Sequence, residues 1–247
     1  MDVLEVENLI KVYGKNKNTV HALKGISFSV AEGEIFGILG PNGAGKSTTM
    51  NILIGLLSPT AGKVSIFGKN FFENEAELKQ KMNIATAYAD LAGSLSVYQN
   101  LRVFAKLYGV KNPKEKIDML LDQFQIQDLK NKKIVELSAG QRTRVNLCKS
   151  LINDPELLLL DEPTASLDPA IAAHVREMLL DIQKKRKLTI IFTSHNMPEV
   201  EQMCNRVALL YRGEIYKIDT PKNLIEFLKV PSMEEVFIKL AKGELEE

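Results

Sequence analysis

The segment Glu34-Ile35-Phe36-Gly37-Ile38-Leu39-Gly40-Pro41-Asn42-Gly43-Ala44-Gly45-Lys46-Ser47-Thr48 decides how the rest of the chain is read. Its first six residues form a short, nearly continuous apolar run, the pattern of a strand covered on both faces. Residues 40–48 fit G-x-x-x-x-G-K-[ST], and Lys46 to Leu57 has helical length and content. Strand, glycine-rich turn and helix in this order are the setting that gives the motif its meaning. Glycine lets the backbone turn so that successive N–H groups converge on phosphate oxygens, and the helix N-terminus adds partial positive charge. Lys46 is then placed to reach the β- and γ-phosphates of a nucleotide, and the Ser47 hydroxyl to ligate Mg2+. Gly40, Pro41, Asn42, Gly43, Ala44, Gly45, Lys46, Ser47 and Thr48 are the candidate nucleotide contacts.

Before this segment, Val3 to Tyr13 and Val20 to Val30 are strand-like runs, broken by Gly14-Lys15-Asn16 and Gly25. After it, Ser58-Pro59-Thr60-Ala61-Gly62 makes a turn into a further strand, Lys63 to Phe67. From about Glu73 to Ile152 the pattern reads as helical. Ser96-Val97-Tyr98-Gln99 is a capping box, with Val97, Leu101, Phe104 and Tyr108 on one face and Gly109 at the helix end. Asn112-Pro113 opens a second helix carrying Ile117, Leu120, Leu121 and Phe124. Strand–helix alternation then resumes with a strand at Leu157 to Leu160, a helix at Pro169 to Lys187 opened by Asp168, and a strand at Leu188 to Thr193. Val207 to Tyr211 and Glu214 to Ile218 form a hairpin around Arg212-Gly213, and Ser232 to Lys242 is an amphipathic helix. The expected architecture is α/β, with a mainly parallel sheet and an antiparallel side sheet. The catalytic domain is expected over 1–230, a helical subdomain inserted at about 90–152, and a short helical tail at 231–247.

Composition narrows the classes. The chain has 247 residues, 45% hydrophobic and 26% charged, with 32 Lys and Arg against 31 Asp and Glu. A balance of +1 argues against a dedicated duplex-binding protein, so no nucleic-acid partner is expected. No apolar run approaches the ~20 residues of a membrane helix. The start, M-D-V-L-E-V-E-N, lacks the basic and apolar regions of a secretory signal. Cys148 and Cys204 have no metal-ligand or redox spacing and read as buried thiols. A soluble, intracellular protein is expected.

Two further stretches carry chemistry. Leu137-Ser138-Ala139-Gly140-Gln141 begins a helix, and Ser138 with Gln141 forms a second capping box. The apolar strand 157–160 ends in Asp161-Glu162-Pro163, which places two carboxylates at the C-terminal edge of the sheet, where such folds bind ligands. Asp161 can hold Mg2+, and Glu162 can orient and deprotonate an attacking water, a role worth about 10²–10⁴-fold. Ser166-Leu167-Asp168 follows on a loop. His195 closes the next strand at the same edge, suited to a hydrogen bond with a γ-phosphate, whereas His21 and His174 read as structural or solvated.

The ordered set of the phosphate loop, L-S-A-G-Q, L-L-L-L-D-E-P-T, S-L-D and T-S-H resembles the ATP-binding cassette (ABC) ATPases over nearly the whole chain. The resemblance implies a P-loop NTPase (RecA-like) core hydrolysing ATP with Mg2+, held by Ser47 and Asp161, and with Lys46, Glu162 and His195 as catalytic residues. It also implies that Tyr13 stacks on adenine and that Asp168 belongs with the nucleotide contacts. Cassettes of this kind pair head to tail, so that Ser138, Gly140 and Gln141 of one subunit meet the γ-phosphate bound by the other. A second cassette, identical or paralogous, is therefore the expected partner.

Two positions depart from the family pattern. A glutamine usual between the phosphate loop and the helical subdomain is missing from Met82 to Leu95, and ungapped alignment puts Ala87 at its position. Gln99 belongs to a capping box, and Asp90 or Thr86 could each supply an oxygen. Either water replaces the amide and hydrolysis persists, as expected with Glu162 and His195 intact, or turnover is slow. Ala139 stands where glycine is commoner.

Only one phosphate loop, no coiled-coil heptads and no membrane helices leave a stand-alone cassette serving a separate polytopic permease. The run Ser94 to Gly109 and the ending P-S-M-E-E-V-F-I-K-L resemble cassettes of ABC-2-type exporters. A soluble non-transport ATPase, of iron–sulfur assembly or cell-division type, and an importer cassette are the alternatives. The expected location is cytoplasmic, on the inner face of the membrane through the permease. Leu91, Leu95 and the apolar helix face after Ser96 are the candidate docking groove.

Overall fold

Alternating burial along the first thirty residues produces an antiparallel hairpin. In a computed structural model describing residues 1–14, 19–86 and 91–244, it consists of β1 (Asp2–Tyr13) and β2 (Val20–Ala31). Next come β3 (Ile35–Leu39), α1 (Lys46–Leu53), β4 (Ala61–Ile66), β5 (Lys69–Asn70) and α2 (Glu75–Leu78). The middle of the chain holds β6 (Met82–Thr86), α3 (Val97–Leu107), α4 (Pro113–Gln123), α5 (Ala139–Ser150), β7 (Leu157–Asp161) and α6 (Pro169–Arg186). The last part holds β8 (Thr189–Thr193), α7 (Met197–Met203), β9 (Arg206–Tyr211), β10 (Glu214–Asp219), α8 (Pro221–Phe227) and α9 (Met233–Lys242). These elements form two compact units, Met1–Leu78 with Thr189–Glu247, and Lys79–Leu188. Among the described residues no helix is long and apolar enough to cross a membrane.

In the first unit, β1 pairs antiparallel with β2 (Val6 opposite Phe28) and with β4 (Val6 opposite Val64), and β5 extends β4. This is the expected antiparallel side sheet. Every residue of β3 is buried, and β3 lies parallel to β8 on one side and β9 on the other. The β9–β10 hairpin forms one edge of this second sheet with Tyr211 opposite Glu214, as its Arg212-Gly213 turn requires. The Phe36 ring joins the sheets: Phe28 stacks on it at 5.3 Å, and the Arg206 guanidinium lies 5.3 Å from its centroid. The buried Glu34 carboxylate accepts from Arg206 Nε (2.7 Å), Arg206 Nη2 (3.0 Å) and the Ala31 N–H (2.9 Å).

The helix at Lys46 is shorter than its composition suggests. It stops at Leu53 because Gly55 turns to φ +72° and the N–H groups of Leu56 and Leu57 both return to the Asn51 carbonyl. Short helices α7 and α8 lie in stretches where no helix was expected.

The second unit corrects the helical reading of residues 73–152, which includes the strand β6. Its five residues pair parallel with β7, from Met82 opposite Leu157 to Thr86 opposite Asp161. So short a run carries too little periodicity to announce itself. The expected caps are present: Ser96 Oγ accepts from Gln99 N–H (3.1 Å), and Gln99 Oε1 accepts from Ser96 N–H (2.8 Å). Pro113 opens α4 at its first turn. Val97, Leu101 and Ala105 of α3, Ile117, Leu120 and Leu121 of α4, and Val145, Leu147 and Cys148 of α5 are buried. Both thiols, Cys148 and Cys204, are buried, and desolvation pushes each well up from the ordinary value. The Lys149 ammonium lies 5.4 Å over the Phe104 ring, and burial lowers its pKa to about 8 from 10.5.

Two outcomes follow. Glu34→Ala should lower unfolding stability by about 1.5–3 kcal/mol, the value of hydrogen bonds to a charged group, read as a urea midpoint shift at constant slope. Lys149 binds fewer protons when folded between about pH 8 and 10.5, so its contribution to stability rises with pH across that window. The stability difference between wild type and Lys149→Met should therefore move in favour of wild type from pH 8 to 10.5; a constant difference refutes the assignment.

Candidate functional site

The phosphate loop leaves the buried end of β3 and is wedged between two strands of its own unit. A Cβ on Gly40 would lie 2.1 Å from the Leu210 carbonyl oxygen of β9. Gly45 has φ +113°, and a Cβ there would meet Leu23 Cδ2 at 2.7 Å and the Ala22 carbonyl at 2.8 Å. Backbone bonds tie the loop further, from Ala44 N–H to Pro41 (3.1 Å) and from Gly213 N–H to Ala44 (3.0 Å). Gly45 is the N-cap of α1 and offers no side-chain cap, so the first-turn N–H groups face outward for an anion. Lys46 Nζ donates to the Gly40 (2.5 Å) and Pro41 (3.2 Å) carbonyls. Asn42, Gly43 and Ser47 are exposed. Tyr13, 40% exposed, brings its hydroxyl 3.5 Å from Thr48 Oγ1, so the structure sets this aromatic beside the loop.

His195 belongs to the same unit. It follows β8, the parallel neighbour of β3 (Phe36 opposite Ile191), so both loops leave the C-terminal end of one sheet. The exposed imidazole meets the Phe237 ring of α9 edge-on at 6.1 Å. Its turn is held by residues that sequence reading passed over. The buried Ser194 hydroxyl donates to Glu199 Oε2 (2.9 Å) and accepts from Asn196 N–H (3.0 Å), and Asn196 caps α7. The Asn196-x-x-Glu199 spacing was the available signal.

The second unit holds the acids and the L-S-A-G-Q helix. Asp161 ends β7, and the next residue, Glu162, adopts φ +51°, a conformation sparsely populated by residues with a Cβ. Ser138 caps α5, its Oγ accepting from Gln141 N–H (3.3 Å) while Gln141 Oε1 accepts from Ser138 N–H (3.0 Å). The N–H groups of Ala139 and Gly140 stand in the first turn, where no intrahelical acceptor exists. A Cβ on Gly140 would lie 2.9 Å from the Ser166 carbonyl, and Thr143 Oγ1 is 2.6 Å from Ser166 Oγ. The S-L-D loop therefore packs directly on α5. Asp168 caps α6 by accepting from Ile171 N–H (3.1 Å).

Ala87 and Asp90 lie outside the described residues. Thr86 ends β6, and its carbonyl accepts from Asn146 Nδ2 at 2.6 Å. Gln99 is committed to its capping box, as expected. His174 Nε2 is 2.9 Å from the Gln123 carbonyl, and His21 is exposed on β2. Among the described residues no group of three or more His, Cys, Asp and Glu could hold a metal alone. Mg2+ takes one or two protein oxygens together with substrate phosphates, and the Ser47 hydroxyl and Asp161 carboxylate are donors of that kind.

Comparison with known proteins agrees with these features. The family model described as ABC transporter matches residues 23–165. The bacitracin transport ATP-binding protein BcrA of Bacillus licheniformis is 34% identical over 213 residues, covering 86% of this chain and 68% of that protein. A fluoroquinolones export ATP-binding protein of Mycobacterium tuberculosis is 37% identical over 225 residues, covering 90% and 72%. Among solved structures, CbiO1 of Clostridium perfringens, described as part of the ABC transporter complex CbiONQ, superposes with a TM-score of 0.77 at 31% identity, covering 91% of each chain. The chain belongs to the ABC transporter family, as one of its ATP-hydrolysing cassettes with a P-loop NTPase fold.

Proposed function

We propose that this cassette powers export through a separate membrane permease, working as a head-to-tail pair with a second cassette. The observation that carries this reading is the likeness, at 34–37% identity over 86–90% of the chain, to ATP-binding proteins of bacitracin transport and fluoroquinolone export. Neither the non-transport nor the importer alternative has a comparable support in those relatives. The location that follows is cytoplasmic, at the inner membrane face. Exposed apolar side chains on the helical segment suit a permease surface: Val103 is 48% exposed, Leu107 67% and Val135 67%. Leu91 and Leu95 are only half-buried, whereas Val97 and Leu101, on the face first considered for docking, are core.

In this reading the loop N–H groups between Asn42 and Thr48 and the Lys46 ammonium hold the β- and γ-phosphates, and Tyr13 stacks on the adenine. Ser47 and Asp161 would hold Mg2+, which neutralises phosphate charge when bound. Glu162 takes a proton from water as the water oxygen attacks the γ-phosphorus, giving ADP and phosphate, while His195 hydrogen-bonds a γ-phosphate oxygen. The exposed N-terminus of α5 receives the γ-phosphate held by the partner cassette through the Ser138 hydroxyl and the Gly140 N–H. Gln141 contributes by holding Ser138 in its cap, and Asp168 by opening α6 next to the S-L-D loop. Hydrolysis then removes the group that both subunits grip, and the pair loosens.

Glu162→Gln should release phosphate about 10²–10⁴-fold more slowly than wild type while still binding ATP; wild-type rates from this variant would remove Glu162 from the chemistry. Ser138→Asp separates capping from trans binding, because Asp caps helices as well as Ser does. The variant should melt with wild type yet fail to dimerise with ATP in a Glu162→Gln background, measured by light scattering. A dimer of normal strength would sink the trans contact.

A further inference from the structure

The helix that begins with the L-S-A-G-Q element carries a buried polar group that the reading above does not use. Asn146 lies two turns into α5 and is 6% exposed. Its Nδ2 donates to the Thr86 carbonyl at 2.6 Å, which fixes the amide orientation and directs Oδ1 elsewhere. Oδ1 is buried and has no hydrogen-bond partner, a state that costs a buried acceptor about 1–3 kcal/mol unless something fills it. Asn146 lines a small cleft together with Thr86, Thr143 and Glu162. The cleft is about the size of one water molecule; its lining is largely apolar, with Thr86, Thr143, Asn146 and Glu162 as its polar side chains.

Glu162 directly follows β7 with φ +51°, a conformation that non-glycine residues keep only where the surroundings over-determine it. A water has two hydrogens to give, and both the Asn146 carbonyl oxygen and the Glu162 carboxylate are acceptors.

We propose that Asn146 is a positioning residue for Glu162, acting through one bound water that donates to Asn146 Oδ1 and to the Glu162 carboxylate. The other end of the same amide pins the last residue of β6, immediately before the position where Ala87 replaces the usual glutamine. One side chain on α5 thus orients the base and holds the end of β6. The proposal rests on Glu162 being the general base.

Asn146→Leu keeps the approximate volume but removes both polar ends. Its kcat for phosphate release should fall about 10- to 100-fold, the scale set by small misplacements of a reacting group, with the KM for ATP unchanged; the lost bond to the Thr86 carbonyl is read separately, as a lower melting temperature. Asn146→Ser, which retains an oxygen acceptor and leaves room for the water, should recover most of that loss. In a Glu162→Gln background Asn146→Leu should change nothing further, because the two act through one group. A wild-type kcat for Asn146→Leu, or an equal further loss in the Glu162→Gln background, overturns the proposal. Glu162→Gln with wild-type activity defeats the general-base reading itself; an inert Asn146→Leu effect beside an inactive Glu162→Gln defeats this proposal alone. Should the leucine variant not fold, a crystal structure of the unaltered chain decides: a water within about 3.2 Å of both Asn146 Oδ1 and Glu162 is expected, and its absence overturns the bridge.

Discussion

A loop that grips phosphate with its own N–H groups cannot also carry side chains where its backbone is pressed against its neighbours. That constraint organises the first unit. Gly40 lies against the Leu210 carbonyl and Gly45 against Ala22 and Leu23, so β2 and the β9–β10 hairpin hold the loop from two directions. The Gly213 N–H closes the contact by donating to Ala44. An alanine at Gly40 would drive a Cβ into a carbonyl oxygen, which cannot give way as a flexible side-chain end can. The side sheet therefore does more than cover the core: with β9 and β10 it shapes the glycine-rich loop between β3 and α1.

The second unit solves a different problem, the placement of acids and of a helix N-terminus. Its centre is α5. Its first turn is capped by the Ser138–Gln141 box, its second turn supports the S-L-D loop through Thr143 and Ser166, and Asn146 reaches Thr86 at the end of β6. Asp161 and Glu162 close β7, which pairs with β6 in register with that same threonine. The L-S-A-G-Q helix is thus mechanically continuous with the strand end that carries Asp161 and Glu162.

Much of this was legible from residue patterns. Phosphate loop, capping boxes at Ser96 and Ser138, the cap at Asp168 and the buried run of β3 are local signals, each set by a few residues and independent of tertiary context. The extent of α1 was not, because Leu56 and Leu57 continue a helical composition past the point where Gly55 turns the chain. Strand β6 was hidden between helical patterns because five residues show no period, and its assignment depends on β7, some seventy residues away. Helices α7 and α8 are seven residues each with a proline in the first turn, too short to show an apolar face. Asn146 escaped notice for a related reason: an asparagine on a helix reads as a surface residue, and only packing reveals it as buried. The Ser194–Glu199 bond likewise joins two residues whose partnership appears only once the turn after β8 is formed.

The claim on which the functional reading turns is that a complete site takes its phosphate loop from one cassette and its L-S-A-G-Q helix from another. Mixing two defective variants tests it most directly. A Lys46→Ala cassette retains an intact α5 N-terminus, and a Ser138→Asp cassette retains an intact phosphate loop; neither should hydrolyse ATP alone. Mixed, they form pairs in which one of the two sites is assembled from undamaged parts, so phosphate release should reappear and grow with the concentration of the limiting partner. A mixture as inert as its separate components refutes assembly in trans.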